Sequence, residues 1–183
     1  MGKTTTLVFD GRETNLSFAE VAASLLRQAR KSSFIIDLDA LYSSNSDVIF
    51  GQHRSQVAIH VPDPESNVER ELNLIFEADR PVAVIDSLNT MYHMFSPEDS
   101  GARGRKLSFA VASLSNFAAT NGMAVILTVY KRERLGRPDE GKSISSLSDV
   151  TASVEIQGSL LRVTCERGAA WPGGVFSTRI PLL

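Results

Sequence analysis

The sequence predicts an α/β domain with a largely parallel central sheet, flanking helices and antiparallel strands at its C-terminal end. Two observations support this prediction. Short, continuously apolar runs, typical of strands buried on both faces of a parallel sheet, alternate with segments of helical periodicity over residues 5–129. Three short segments of alternating polarity then follow one another within residues 152–180, as expected for antiparallel strands that close the sheet.

The first forty residues predict a β-α-β unit. A short buried strand is predicted at residues 5–9, and it ends at the turn signal Asp10-Gly11. Apolar positions from Phe18 to Ala29 then recur at helical spacing, and basic side chains at the end of this helix suit its dipole. A second buried strand at residues 33–39 ends in acidic residues, so we expect the first forty residues to form a β-α-β unit of a parallel sheet.

The next segment repeats this plan. A short strand is predicted at residues 57–61, and Ser66 with Glu69 three positions later has the spacing of a capping box at the start of a helix. Residues 81–86 are uniformly apolar up to an acidic end, which indicates a strand in the middle of the sheet.

A long helix follows, with apolar positions from Leu107 to Ala118. We expect it to stop at Asn121-Gly122 in a left-handed C-cap, before a buried strand at residues 123–129. The polar, glycine-containing stretch at residues 131–147 predicts a long loop of the kind that often carries function.

Length and charge bound the class of protein. The chain has 183 residues, 43% of them hydrophobic, which fits a single domain over residues 1–183. A net charge of −2 does not mark the whole chain as a nucleic-acid or membrane binder, so any basic site must be local. We see no apolar run near the ~20 residues that span a bilayer and no signal peptide, and we expect a cytoplasmic protein. A single cysteine, Cys165, and three scattered histidines predict neither a disulfide nor a metal site.

A phosphate-binding loop has two candidate positions. Gly2-Lys3-Thr4 spells the end of the P-loop pattern G-x-x-x-x-G-K-[ST], but no strand precedes it and a strand-like run follows it. A P-loop needs a strand that delivers a glycine loop into a helix, with backbone amides facing the phosphates. We therefore interpret Gly2-Lys3-Thr4 as a tail leading into the first strand.

The proper place for such a loop is residues 11–18, between the first strand and the first helix. Gly11 keeps the first glycine of the pattern, but the second glycine, the lysine and the Mg²⁺-binding hydroxyl are replaced. The degenerate phosphate loop predicted here comprises Gly11, Asn15, Leu16, Ser17 and Phe18. We expect ATP and Mg²⁺ binding to be weak or absent, with no resident cofactor and no hydrolysis.

Residues 82–88, Val-Ala-Val-Ile-Asp-Ser-Leu, resemble the Walker B segment of the RecA/RadA recombinase family, in which serine follows the aspartate. The stretch from Arg103 through the long helix to the strand at residues 122–128 is similar to the family's segment after Walker B. Residues 34–39 are similar to the family strand that ends in Asp-x-Glu. The resemblance extends over residues 7–180 and implies a RecA-like, P-loop NTPase-type core.

This resemblance implies roles for individual residues. Asp86 matches the aspartate that helps to place Mg²⁺, and Asp39 stands where the family has a water-activating glutamate, one methylene shorter. Val129-Tyr130 replaces the Asn-Gln pair that senses the nucleotide. The chain thus resembles a recombinase paralogue with a degenerate Walker A motif, in which Asp86 and Asp39 are remnants and no residue is catalytic. The alternative role for both acids is to cap strand ends or to bind loop amides.

The resemblance also implies a nucleic-acid surface, because in recombinases the loops after these two strands hold single-stranded DNA. The matching stretches are residues 96–106 and 131–147. Basic side chains grip a nucleic-acid backbone without sequence preference, and an aromatic ring can stack on a base. The candidates are Arg103, Arg105, Lys106, Tyr130, Lys131, Arg132, Arg134, Arg137 and Lys142. The alternative is a solvated loop without a ligand.

Trp171, flanked by Pro172 and two glycines, is a candidate anchor for a protein partner, since tryptophan is enriched at interaction hot spots. The alternative is a side chain folded back onto the sheet. We expect a RecA-family protein or a second copy of the chain as partner, and possible binding of single-stranded DNA.

Three functions follow from the resemblance. The first is a non-catalytic accessory or regulatory factor in DNA recombination and repair, which binds single-stranded DNA, a RecA-family partner or both. The second is a RecA-fold subunit of an RNA-binding ring, similar to the Walker-less subunits of Elongator. The third is a divergent ATPase of the KaiC-like or RadA-paralogue kind, completed by a neighbouring subunit.

Overall fold

The computed structural model describes residues 2–95, 100–131, 147–168 and 174–179. Five of the predicted site residues lie outside these ranges. They are Arg132, Arg134, Arg137, Lys142 and Trp171.

Eight strands form one sheet in the order β3-β2-β4-β5-β1-β6-β7-β8. The strands are β1 (Thr4–Phe9), β2 (Ser33–Asp37), β3 (Val57–His60), β4 (Val82–Asp86), β5 (Ala124–Tyr130), β6 (Val150–Gln157), β7 (Leu160–Arg167) and β8 (Val175–Arg179). Along this spatial order, neighbouring strands pair in parallel from β3 as far as β6. Strand β7 then pairs antiparallel with β6, and β8 pairs antiparallel with β7. The predicted fold class, a largely parallel sheet with antiparallel C-terminal strands, is confirmed.

Six α-helices and one 3₁₀ helix, Gly51–Gln56, connect the described strands. The α-helices are α1 (Arg12–Gln28), α2 (Leu41–Ser44), α3 (Ser46–Phe50), α4 (Val68–Glu77), α5 (Leu88–Met94) and α6 (Ser100–Asn121). Gly122, with φ of +68°, ends α6 in the left-handed region as predicted. None of the helices in the described ranges is long and apolar enough to cross a membrane.

The predicted capping box at the start of α4 is wrong. The N-cap is Asn67, whose side-chain oxygen accepts the backbone N–H of Arg70 at 3.0 Å. Ser66 instead donates its hydroxyl to Glu71, which is buried and also lies 2.9 Å from Nε2 of His60 on β3. An asparagine one residue later satisfies the free amide equally well, so the Ser-x-x-Glu spacing does not decide the cap.

The two faces of the parallel sheet are covered unequally. On one face α4, α5 and α6 bury Ile36, Ile85, Val125 and Leu127 completely. On the other face α1, α2 and α3 pack against Ile35, while Val84 and Ile126 remain half-buried. The carboxyl ends of β1, β2, β4 and β5 meet at one edge of this sheet, where parallel strands present their functional side chains.

Candidate functional site: a buried polar network at the carboxyl edge of the sheet

The loop expected over residues 11–18 is absent, and this part of the prediction is corrected. Strand β1 ends at Phe9 and α1 begins at Arg12, so only Asp10 and Gly11 lie between them. The amide of Asn15 already bonds the carbonyl of Gly11 at 3.2 Å, which closes the first helical turn. A connection of two residues is too short for an arch of amides around a phosphate.

The residues aligned with the P-loop pattern serve the packing of α1 instead. Phe18 meets Phe9 edge to face, with ring centroids 5.6 Å apart. Leu16 packs against the cluster that contains Tyr42 and Ile49. The P-loop pattern considers only the spacing of these residues and therefore placed them at a phosphate. Because Leu16 and Phe18 are apolar, they pack into the core instead.

Gly2 and Lys3 lie at the opposite edge of the sheet, which confirms their interpretation as a lead into the first strand. The carbonyl of Lys3 accepts the amide of Val125 at 3.0 Å, and β1 begins at the next residue. This edge holds the amino ends of the parallel strands, away from the site.

Asn15 lies at the centre of a buried network at the carboxyl edge. Its Nδ2 donates to Oδ1 of Asp86 at 2.9 Å and to the hydroxyl of Tyr130 at 2.7 Å. Its Oδ1 accepts the hydroxyl of Tyr42 at 2.8 Å. Both amide hydrogens and the carbonyl oxygen of Asn15 are therefore used, and they join α1, α2, β4 and β5.

Asp86 is completely buried at the end of β4. Its Oδ1 accepts bonds from Asn15, from the hydroxyl of Thr128 and from the hydroxyl of Tyr130 at 3.3 Å. Its Oδ2 has no hydrogen-bond partner among the described residues. Burial raises the pKa of Asp86 to about 7, and the hydrogen bond from Thr128 opposes this rise.

Tyr130 closes the network above Asp86. Burial and the neighbouring carboxylate of Asp86 raise the pKa of Tyr130 well above its ordinary value, so its hydroxyl keeps its proton and donates it. The side chain of Asn89 on α5 fixes the backbone of Tyr130, with Oδ1 2.9 Å from its amide and Nδ2 3.4 Å from its carbonyl.

The two other acids at this edge hold the local backbone and hydroxyl groups. Asp37 accepts the amides of Leu41 at 2.8 Å and Ser43 at 2.7 Å, and so caps α2. Asp39 accepts the hydroxyl of Ser87 at 2.8 Å and the hydroxyl of Thr90, which ties β2 to the start of α5. Within the described ranges, no three histidine, cysteine or acidic side chains are grouped as metal ligands.

Tyr130 is not available as a stacking platform, and this expectation is corrected. Its side chain is 4% exposed, and its ring lies 6.3 Å from that of Phe9. The sequence suggested that Tyr130 is exposed because a polar stretch follows it. Tyr130 is still part of β5, however, and the alternation of side chains along a strand turns it inward.

The basic candidates that the structure describes lie in three settings. The guanidinium of Arg103 lies 5.9 Å from the ring centroid of Tyr92, a cation–π distance. Arg105 and Lys106 are exposed at the start of α6. Lys131, directly after β5, pairs with Asp10 at 3.0 Å with both side chains about half exposed.

Sequence reasoning missed Tyr42 and Thr128, and it assigned Asn15 to a loop. Tyr42 lies in a four-residue helix without apolar periodicity, and Thr128 looks like an ordinary β-branched strand residue. In the sequence, a threonine near the end of an otherwise apolar strand is the one signal that could have pointed to a buried polar partner.

No family model matches the chain, and no curated protein matches its sequence. Among solved structures, a KaiC-like protein from the hyperthermophilic archaeon Pyrococcus horikoshii OT3 matches 97% of this chain and 89% of its own, with a TM-score of 0.67. The chain has a RecA-like fold. The two sequences are 15% identical, so the likeness concerns the fold of this RecA-like domain alone.

Proposed function

We propose that this RecA-like domain is a non-catalytic relative of RecA/RadA paralogues that acts by association. It binds single-stranded DNA, a RecA-family partner or both, as an accessory factor in DNA recombination and repair. The observation that supports the loss of catalysis is the closed network of Asn15, Asp86, Tyr42 and Tyr130.

The network opposes nucleotide hydrolysis in two ways. An aspartate that places Mg²⁺ must be ionised and accessible to the metal. Asp86 is buried, and its Oδ1 already accepts three hydrogen bonds. Its pKa is raised to about 7, which disfavours the ionised form. The described residues of the network also include no lysine or arginine that could meet a γ-phosphate. Opening it would cost roughly 0.5–1.5 kcal/mol for each hydrogen bond to the Asp86 carboxyl group.

Exposed basic side chains support the nucleic-acid half of the proposal. Arg105 and Lys106 lie in the first two turns of α6, which follows β4 and α5 in the chain, and Lys131 directly follows β5. Arg132, Arg134, Arg137 and Lys142 continue the same basic stretch outside the described residues. Lysine and arginine near one edge of a domain attract a phosphate backbone without base readout.

The test is binding of a fluorescent single-stranded oligonucleotide as a function of salt. The triple change Arg132→Ala, Arg134→Ala and Arg137→Ala should weaken binding and lower the slope of log K against log salt by about 2, at roughly 0.7 per lost contact. The matched control replaces Arg27, Arg30 and Arg54, which lie beside the opposite edge, and should leave binding unchanged.

The outcomes separate this proposal from its alternatives. No binding of single-stranded DNA at low salt would contradict the nucleic-acid half. Tighter binding of a folded RNA than of single-stranded DNA would favour the Elongator-like ring subunit. Phosphate release from Mg-ATP that depends on protein concentration would favour a divergent ATPase completed by a neighbour.

A further inference from the structure

An apolar groove of about 340 Å³ runs between α1 and the centre of the sheet. We call it the α1 groove; its main lining residues are Phe18, Ala22 and Leu26 of α1 and Val82, Val84 and Ile126 of the sheet. Tyr42 and Thr128 lie at its inner end and belong to the polar network.

Within the described part of the chain, one face of the central strands is incompletely covered, and this leaves the groove. Ala83, Ile85 and Val125 are fully buried under α4 to α6, whereas the alternate residues Val82 and Val84 remain half-buried. Parallel strands in the middle of a sheet are normally covered by helices on both faces. The β2-to-β3 connection supplies only the short helices α2 and α3 and one 3₁₀ helix on this side.

The dimensions of the groove suit a short helix. Along β5 its lining extends from Ala124 to Thr128, about 13 Å at ~3.3 Å per residue. That length matches roughly nine residues of α-helix. The alanines at positions 22 and 124 leave room for close approach, and Leu25 at the rim is 52% exposed and free to contact an apolar face.

Basic residues flank the end of the groove beside the start of β2. Ala29 and Ser33 line this end. The exposed residues Arg27, Arg30 and Lys31 lie next to them in the sequence. Across the described part of the chain none of these three cations forms an ion pair; Arg27 donates only to the hydroxyl of Ser24, at 2.9 Å. A ligand with carboxylates flanking an apolar stripe would complement both features.

We propose that the α1 groove binds an amphipathic helix with acidic flanks, presented by a partner protein. Its apolar residues at helical spacing would lie on Val84 and Ile126 beside Leu25, with its acidic side chains toward Arg27 and Lys31. This proposal does not rest on nucleic-acid binding and concerns a different edge of the domain.

The test measures fluorescence anisotropy of a synthetic 14-residue helix with leucines at i, i+3, i+4 and i+7 spacing and flanking glutamates. Two control peptides carry lysine in place of every glutamate, or a proline in the middle. The full chain should bind the acidic helix at least ten times more tightly than either control. Leu25→Glu, and separately Arg27→Glu with Lys31→Glu, should each weaken binding at least tenfold.

Matched variants on the other face keep the test specific. Phe109→Glu replaces a side chain that is 75% exposed on α6, and Arg105→Glu reverses a charge there; both should bind the acidic helix like the parent. The charge-reversal pair lies on the surface, so it tests the groove even where Leu25→Glu disturbs α1.

Four results with the peptides would overturn the proposal. They are no binding of the acidic helix, binding of the lysine or the proline peptide as tight as that of the acidic helix, binding that Leu25→Glu and the charge reversal leave unchanged, and a loss of binding in Phe109→Glu or Arg105→Glu as large as that in the groove variants. Sedimentation of the chain alone as a dimer that Leu25→Glu dissociates would assign the groove to a second copy, and so would overturn a foreign helix as its occupant.

Discussion

The side chain of Asn15 donates a 2.9 Å hydrogen bond to Asp86, so the first helix is joined to the end of β4 at the carboxyl edge of the sheet. The same amide bonds Tyr130 and accepts from Tyr42. A residue of the segment that was aligned with the phosphate-loop pattern thus belongs to α1 and to the buried network.

Replacing Asn15 with alanine should destabilise the fold. The change leaves Tyr42 without its acceptor and Asp86 with one donor fewer, all in a buried setting. We expect the free energy of unfolding to fall by about 2–4 kcal/mol, measured by urea denaturation. Ser17→Ala, a half-buried position two residues further along α1, should change it by less than about 0.5 kcal/mol. Equal effects of the two changes would contradict the central role of Asn15.

The raised pKa of Asp86 predicts a stability that falls as pH rises. The ordinary aspartate pKa of about 3.9 holds in the unfolded chain, whereas the folded value is about 7, so the native state binds the extra proton between these limits. The contribution is fully present below about pH 4, declines by up to roughly 1.4 kcal/mol per pH unit, and is lost at about pH 7.

Asp86→Asn removes this titration and supplies the comparison. The difference in unfolding free energy between the variant and the parent should change across the window from about pH 4 to pH 7 and stay level above it, as followed by urea titrations. Parallel pH profiles for the two proteins would show that Asp86 is not protonated in the folded state.

Tyr42→Phe tests the outer bond of the network with little change in packing. The hydroxyl is lost, and Oδ1 of Asn15 is left buried without a donor. We expect a loss of about 1–3 kcal/mol in unfolding free energy. In the double variant with Asn15→Ala the further loss should be much smaller, because the two groups share one bond. Additive losses would mean that the bond between them contributes nothing.

Introducing the residues of the P-loop pattern should not create an ATPase. In the variant Leu16→Gly, Ser17→Lys and Phe18→Thr the changed residues still lie within α1, and no loop is created. The glycine costs about 1 kcal/mol of helix propensity, and loss of the Phe18 contact with Phe9 adds to it. We expect lower thermal stability and no phosphate release from Mg-ATP. Measurable hydrolysis by this variant would show that residue identity alone had been limiting.

Much of the fold follows from the sequence because periodicity reports burial. The strands at β2, β4 and β5 are nearly uniform apolar runs, and the stripe of α6 fixes a long helix. Helices α2 and α3 were not predicted because four and five residues cannot show a helical period.

The site was harder to predict than the fold. Asn15 and Asp86 are 71 positions apart, and Asn15 and Tyr130 are 115 apart, so only the strand order brings them together. The P-loop pattern pointed to the crossover from β1 to α1, in which Asn15 lies, but it imposed a loop on residues that form a helix. The spacing of a motif indicates which residues lie in the crossover from β1 to α1. The hydrogen bonds that their side chains form depend on the tertiary fold.

The central proposal is that side chains of this RecA-like domain fill the place where the resemblance implies a nucleotide site. Isothermal titration of the parent chain with Mg-ATP at neutral pH tests it most directly. We predict no heat of binding at millimolar nucleotide and no rise in the thermal midpoint, since a ligand that binds only the folded form must raise it. Micromolar binding that Asp86→Asn abolishes would contradict the proposal.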